Sequence, residues 1–320
     1  MRAPALLFLL LLASVAAATT SEDVDVTCPL CGNEFRAEQW HSTNSVGGQD
    51  RDFLQHAAGG QVFLMACWTC PRCAYTGFGD DFDAESAPEE LIARLKKANP
   101  LRPAEPIDPA TEHCGKIPAW VRYDLWIQML KLDAETTESQ LAFANLRTGQ
   151  TQRFEWRTLD GIPDFETRSD ALYERVKPGL PEGSWYDRSM ACGRAYEKLA
   201  ADPESKLDAS DRLFARVLAA LAGEELDASF QAVVGEIRAR VARERVYRER
   251  AIPHLEKHVA GAGLAEEEAI ALRYLLGVLY RRVGKDEEAV AALEPLLAAE
   301  GVPEGFMDWI KDELAKAKRG

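Results

Sequence analysis

Four cysteines fall into two Cys-Pro-x-Cys turns, CPLC at Cys28 to Cys31 and CPRC at Cys70 to Cys73. In such a turn the first sulfur, the backbone N–H groups that follow and the second sulfur converge on one point. Two turns facing each other complete a tetrahedral thiolate cage for zinc, with sulfur at roughly 2.3 Å from the ion. The expected metal ligands are therefore Cys28, Cys31, Cys70 and Cys73, and the expected cofactor is Zn2+. Four thiolates leave no open coordination position, so the ion would be structural rather than catalytic. It would replace the apolar core that a unit of about 60 residues cannot build for itself. Gly32 relaxes the backbone after the first pair, and Ala74 stands where a second glycine would.

The same residues allow other chemistry. A Cys-x-x-Cys can be a redox dithiol, a use that places its first cysteine at a helix start after a strand. An oxidising compartment would instead convert the pairs to disulfides. Cys67 adds a further alternative, since CWTCPRC offers Cys-x-x-Cys twice and Cys67 could take the place of Cys70 or Cys73. Cys114 and Cys192 remain, and two of these three extra thiols could pair with each other.

Elsewhere the chemistry-bearing residues are weaker signals. PHLEKH sets His254 and His258 one helical turn apart, but a zincin needs glutamate directly after the first histidine and Leu255 stands there. Asp50 and Asp52 in GGQDRDF fit a solvated loop, because two carboxylates without further oxygen ligands make a poor calcium site. The arginines of IRARVARERVYRER alternate with Glu236, Glu244 and Glu249 and fit an ion-paired helix face. With no Ser-His-Asp set, phosphate loop or dinucleotide fingerprint, no catalytic residue is assigned.

The elements that must position the cysteines are short. Residues 19–98 hold strand-like stretches such as QVFLMACW between glycine turns, followed by a charged helix, APEELIARLKKA. A proline-rich segment, 99–118, then has the composition of a linker. From Ala119 onward helical periodicity dominates: AWVRYDLWIQMLKL puts Trp120, Tyr123, Ile127 and Leu130 on one face, and DASDRLFARVLAALAG is capped at both ends. LRTGQTQRFEWRTLDGIP is left open between helix and hairpin. In RYLLGVLYRRVGKDEEAVAALEPLL, residues Leu276, Gly277, Tyr280, Gly284 and Ala289 fall at the offsets of a tetratricopeptide helix pair. The expected fold is mainly α, a small β zinc ribbon followed by a tetratricopeptide-like helical domain over 119–320.

At its start, Arg2, an apolar run from Ala5 to about Val15 and the alanines before Thr19 resemble a cleavable signal peptide over 1–18. Nothing later is apolar enough to span a bilayer, so a periplasmic or secreted location is expected, without a membrane span after cleavage. The net charge is −14. Thirteen carboxylates against six basic side chains between Thr19 and Asn99 make the cysteine-rich part itself acidic, which disfavours nucleic acid as a partner.

Taken together, CPLCGNEF, QDRDFL, CPRCAYTGFGDDF and YLLGVLYRRVGKDEEAVAAL resemble the bacterial family of domain of unknown function 2225. Some members carry a further cysteine where this chain has Leu54. The resemblance implies a four-cysteine ribbon joined to a tetratricopeptide-like region, and it implies no activity. The function expected is a non-catalytic interaction or scaffold role toward a protein or peptide partner. The alternative is a thiol-disulfide or metal-handling protein using Cys67, Cys70 and Cys73.

Overall fold

The computed structural model describes residues 19–45, 49–57, 60–83, 89–153, 228–261 and 263–319. The expected signal segment 1–18, the helix 208–223, Cys192 and most of the possible hairpin 146–163 lie outside these residues. The chain divides into two compact units, Met1–Phe154 with Tyr247–Gly320, and Glu155–Val246. Of the second unit only the helical residues 228–246 are described.

The first unit is mainly helical with two small sheets. Strands β1 (Thr20–Thr27) and β2 (Glu34–Ser42) form an antiparallel hairpin around the first cysteine turn, with Val26 opposite Phe35 and a register shift at Thr20 and Ser21. A one-turn helix, α1 (Val62–Ala66), leads into β3 (Trp68–Thr69) and β4 (Thr76–Gly77), which pair across the second cysteine turn. Helices α2 (Glu89–Lys97), α3 (Ala119–Leu132) and α4 (Glu138–Thr151) follow. After α5 (Ala228–Ala260) come α6 (Glu266–Arg282), α7 (Asp286–Leu293) and α8 (Glu304–Ala317).

Helix α2 forms where the sequence places it, with Leu91, Ile92 and Leu95 buried and acidic residues in its first turn. In α3 the expected face is buried, and so are Val121, Leu125 and Met129 on other faces, because the ribbon covers the helix as well. The segment expected to be a linker contributes Leu101, Cys114 and Ile117 to that same apolar cluster, together with Phe35, Trp68 and Phe82 of the ribbon region. LRTGQT, left open from sequence, is the end of α4, which begins with a reciprocal cap between Thr137 and Gln140.

QVFLMACW departs from the expected strand. Its first residues form α1, whose orphan carbonyls are met by side chains of α3: Tyr123 donates to the carbonyl of Phe63 at 2.6 Å, and the buried Arg122 donates to those of Leu64, at 2.6 Å, and Cys67. A positive group at the helix end supplies what a further turn would have.

Helices α6 and α7 pack through a glycine. A β-carbon built on Gly277 would lie 2.4 Å from Cγ of Leu293, a residue with no exposed surface. Gly277→Val should therefore overpack this contact and cost about 1–3 kcal/mol in a denaturant melt, whereas Gly305→Ala, which meets nothing within 4 Å, should not. Among the described residues no helix is long and apolar enough to cross a membrane.

Candidate metal centre

The two cysteine turns are built alike. In the first, the amide of Cys28 donates to the carbonyl of Asn33 at 2.9 Å and the amide of Gly32 to that of Cys28 at 2.8 Å. In the second, the amide of Cys70 donates to Tyr75 at 2.8 Å and the amide of Ala74 to Cys70 at 2.9 Å. Both close by reversing the backbone into the left-handed region, with φ of +69° at Gly32 and +62° at Ala74. Alanine at the second position accepts a conformation that costs a side-chain-bearing residue about 1–2 kcal/mol. Flanking contacts hold it there: Thr69 and Thr76 share a hydrogen bond of 2.8 Å across β3 and β4, and Asn99 donates to the carbonyl of Cys73 at 2.8 Å.

The sulfurs of Cys28, Cys31, Cys70 and Cys73 all lie within 4.8 Å of one another. Cys28 and Cys73 are 3.6 Å apart, as are Cys31 and Cys70. A tetrahedron with a metal–sulfur distance of 2.3 Å has edges of about 3.8 Å, whereas a disulfide needs about 2.05 Å. All four are free thiols, held at the separation of ligands rather than of bonded pairs. They are the one group of three or more metal-binding side chains among the described residues, and they could hold a metal ion.

The electrostatics suit that role. Sulfurs this close cannot all keep ordinary thiol acidity. Hydrogen bonds from Cys28 and Cys73 draw the thiol of Cys70 down, and the neighbouring Cys70 thiolate pushes Cys28 up. Cys73 is pushed up by Cys28 and Cys70. A divalent cation would remove this competition by accepting all four as thiolates. An aromatic cluster backs the site: Phe82 lies with its ring centre 5.7 Å from Phe35, 5.2 Å from Tyr75 and 6.0 Å from Trp68.

Cys67 does not join the group. It is fully buried, and burial pushes its thiol well above the usual range, an effect the Arg122 guanidinium only partly offsets. Cys114 is buried too, its thiol raised by the same cause. Neither cysteine turn starts a helix, so the geometry expected of a redox dithiol is absent at both. Among the described residues His254 and His258 bring no third metal ligand; His254 meets Glu138 at 2.5 Å, and Leu255 between them is buried.

The aspartate loop is the largest departure from the sequence reading. Asp52 has no exposed surface. Arg282, at the end of α6, donates to its carboxylate at 2.6 Å, and Arg153 donates to both of its oxygens, one at 3.0 Å. Asp50 beside it takes a hydrogen bond from Arg153 at 2.7 Å and lies 2.9 Å from the buried His56. The tight turn between them sets Phe53 at φ +64° and aims its ring at Tyr274 and Phe306, with centres 5.7 and 6.1 Å away. Arg51 reaches Asp312 at 3.2 Å and stacks over Trp309. QDRDFL therefore fastens the ribbon side of the unit to its C-terminal helices. In the sequence, the only trace of this is an acidic pair beside large apolar residues inside a glycine-rich stretch.

No curated protein and no solved structure matches this chain. The segment 22–153 matches the family described as an uncharacterized protein conserved in bacteria, DUF2225, and the match ends before the helix pair α6 and α7. The part of the chain that is similar to that bacterial family thus carries both cysteine turns, the aspartate loop and helices α2 to α4.

Proposed function

We propose that this chain is an exported, non-catalytic interaction protein whose ribbon is shaped by one structural zinc ion. The observation that carries the reading is the closed set of four sulfurs within 4.8 Å, two from each turn. An all-thiolate tetrahedron selects zinc or an iron–sulfur centre over harder cations, and it gives a substrate no place to bind. Helices α6 and α7, closely packed at Gly277, supply the tetratricopeptide-like element, and the N-terminal apolar segment the export signal. One such pair cannot bury both faces by itself, and neighbouring elements complete it: Ala142, Leu146 and Leu255 on one side of α6, Ile310 and Leu314 of α8 on the other.

Native mass spectrometry of the full chain, expressed with its own N-terminus and recovered from the periplasm, tests the metal and the location together. The expected result is a chain cleaved near Ala18 that carries one zinc, with Cys28, Cys31, Cys70 and Cys73 protected from alkylation until a chelator is added. A chain retained in the cytoplasm would refute export. Reversible oxidation of the four thiols in place of zinc would replace this reading with a thiol-disulfide role.

A further inference from the structure

Beside the ribbon lies a groove of about 760 Å³ whose walls are largely aromatic. Trp40 of β2, Phe63 of α1, Phe78, Tyr123 and Trp126 of α3 and Phe143 of α4 all line it. Three of these rings meet edge to face, Phe78 against Trp126 at 4.8 Å and 84°, Tyr123 against Trp126 at 6.0 Å and 80°. That arrangement keeps them from stacking flat on one another. Trp40 is 43 % exposed and Phe143 36 %, both large for apolar side chains that no neighbour covers.

The polar groups of the groove discriminate between occupants. The indole N–H of Trp68 is spent on the carbonyl of Glu38 at 3.1 Å, but those of Trp40 and Trp126 have no partner among the described residues. Arg147 is engaged, donating to Gln150 at 3.0 Å and lying over the Phe63 ring. Glu38 accepts from Ser21 at 2.7 Å and keeps a second oxygen, while the exposed Asp80 has no ion pair among the described residues. The groove thus offers aromatic faces, hydrogen-bond donors and uncompensated negative charge. A polyproline II segment has few N–H groups, presents unbonded carbonyls to donors and packs its rings on aromatic faces.

We propose that this groove binds a proline-rich segment of a partner protein in the polyproline II conformation, with an adjacent lysine or arginine meeting Asp80 and Glu38. The proposal rests on the interaction role above and gives it a site apart from the helix pair. The probe is a synthetic peptide, Ac-PPRPPPRPPP-NH2, titrated into the zinc-loaded full chain and followed by tryptophan fluorescence and calorimetry. Saturable binding is expected, weakened about tenfold or more by Trp40→Ala and by Phe143→Ala, as for aromatic anchors in other interfaces. Asp80→Asn should weaken it about threefold and flatten its dependence on salt. Because both aromatic side chains are exposed, the variants should keep the circular dichroism and zinc content of the parent.

The proposal is overturned if no saturable binding appears up to about 1 mM peptide, or if the two alanine variants bind as the parent does. It is also overturned if peptides with Gly-Ser or Thr-Val in place of the prolines bind equally well. A pull-down from the native envelope separates the two levels of the argument. Capture of a partner by the parent and by Trp40→Ala alike would leave the interaction role standing and remove the groove from it. Failure of the parent to capture anything would count against both.

Discussion

Serine in place of Cys70 should release the metal and unfold the ribbon. Structural zinc sites contribute roughly 10–16 kcal/mol of binding free energy to the folded state at neutral pH, more than the whole stability of most domains. The effect should spread beyond the ribbon, because Val26, Phe35, Trp68 and Phe82 share one apolar cluster with Trp120, Val121 and Leu125 of α3. The measurement is metal content together with amide exchange. Cys70→Ser should lose the ion and all slow exchange in 20–42 and 68–77, whereas Cys67→Ala should keep both. The Cys67→Ala cavity, a single sulfur in size, should cost only about 1 kcal/mol. Retention of metal by Cys70→Ser, or its loss from Cys67→Ala, would show that the cage is composed differently.

Asp52→Ala should be the most damaging single change outside the cysteines. It would leave the guanidinium groups of Arg153 and Arg282 in a buried site without this counter-charge, a loss that typically costs about 3–5 kcal/mol. Asp52→Asn keeps the shape but not the charge and should recover only part of it. The same contacts set a pH dependence. Burial by itself would raise the carboxyl of Asp52, but Arg153 and Arg282 hold it well below its ordinary 3.8. Asp50, similarly opposed by burial, is brought to about 2 by the His56 hydrogen bond and Arg153. Carboxyl groups held below their unfolded values add stability that is fully present above the unfolded pKa and lost as pH falls through the folded one. The denaturant midpoint should accordingly drop steeply between about pH 4 and pH 2 in the parent, and much less so in Asp52→Ala.

What could be read from the sequence was what is local. The cysteine turns are written in five or six consecutive residues, α2 and α3 in their periodicity, and the close approach of α6 and α7 in the small residues Gly277 and Ala289. What could not be read depends on partners far along the chain. QVFLMA has the composition of a strand and becomes a helix because Arg122 and Tyr123 cap it from 55 to 60 residues away. Asp52 sits among glycines that suggest solvent, and is buried because Arg153 and Arg282 come to it from 101 and 230 residues away. Local propensity carries no record of such meetings, and a buried charge looks in sequence like any exposed one. The aromatic groove was equally silent, since its walls come from five separate segments.

The Asp52–Arg282 pair also sets a timetable. Its two members are separated by 230 residues, so closing that loop carries a large entropic cost and cannot begin until Arg282 has left the ribosome. Until then Phe53 has no Tyr274 to rest on, and the aspartate loop stays unlatched while the cysteine turns and α3, whose contacts are nearer in sequence, are already free to assemble. The latch therefore drops last, joining an already shaped ribbon to helices synthesised some two hundred residues later.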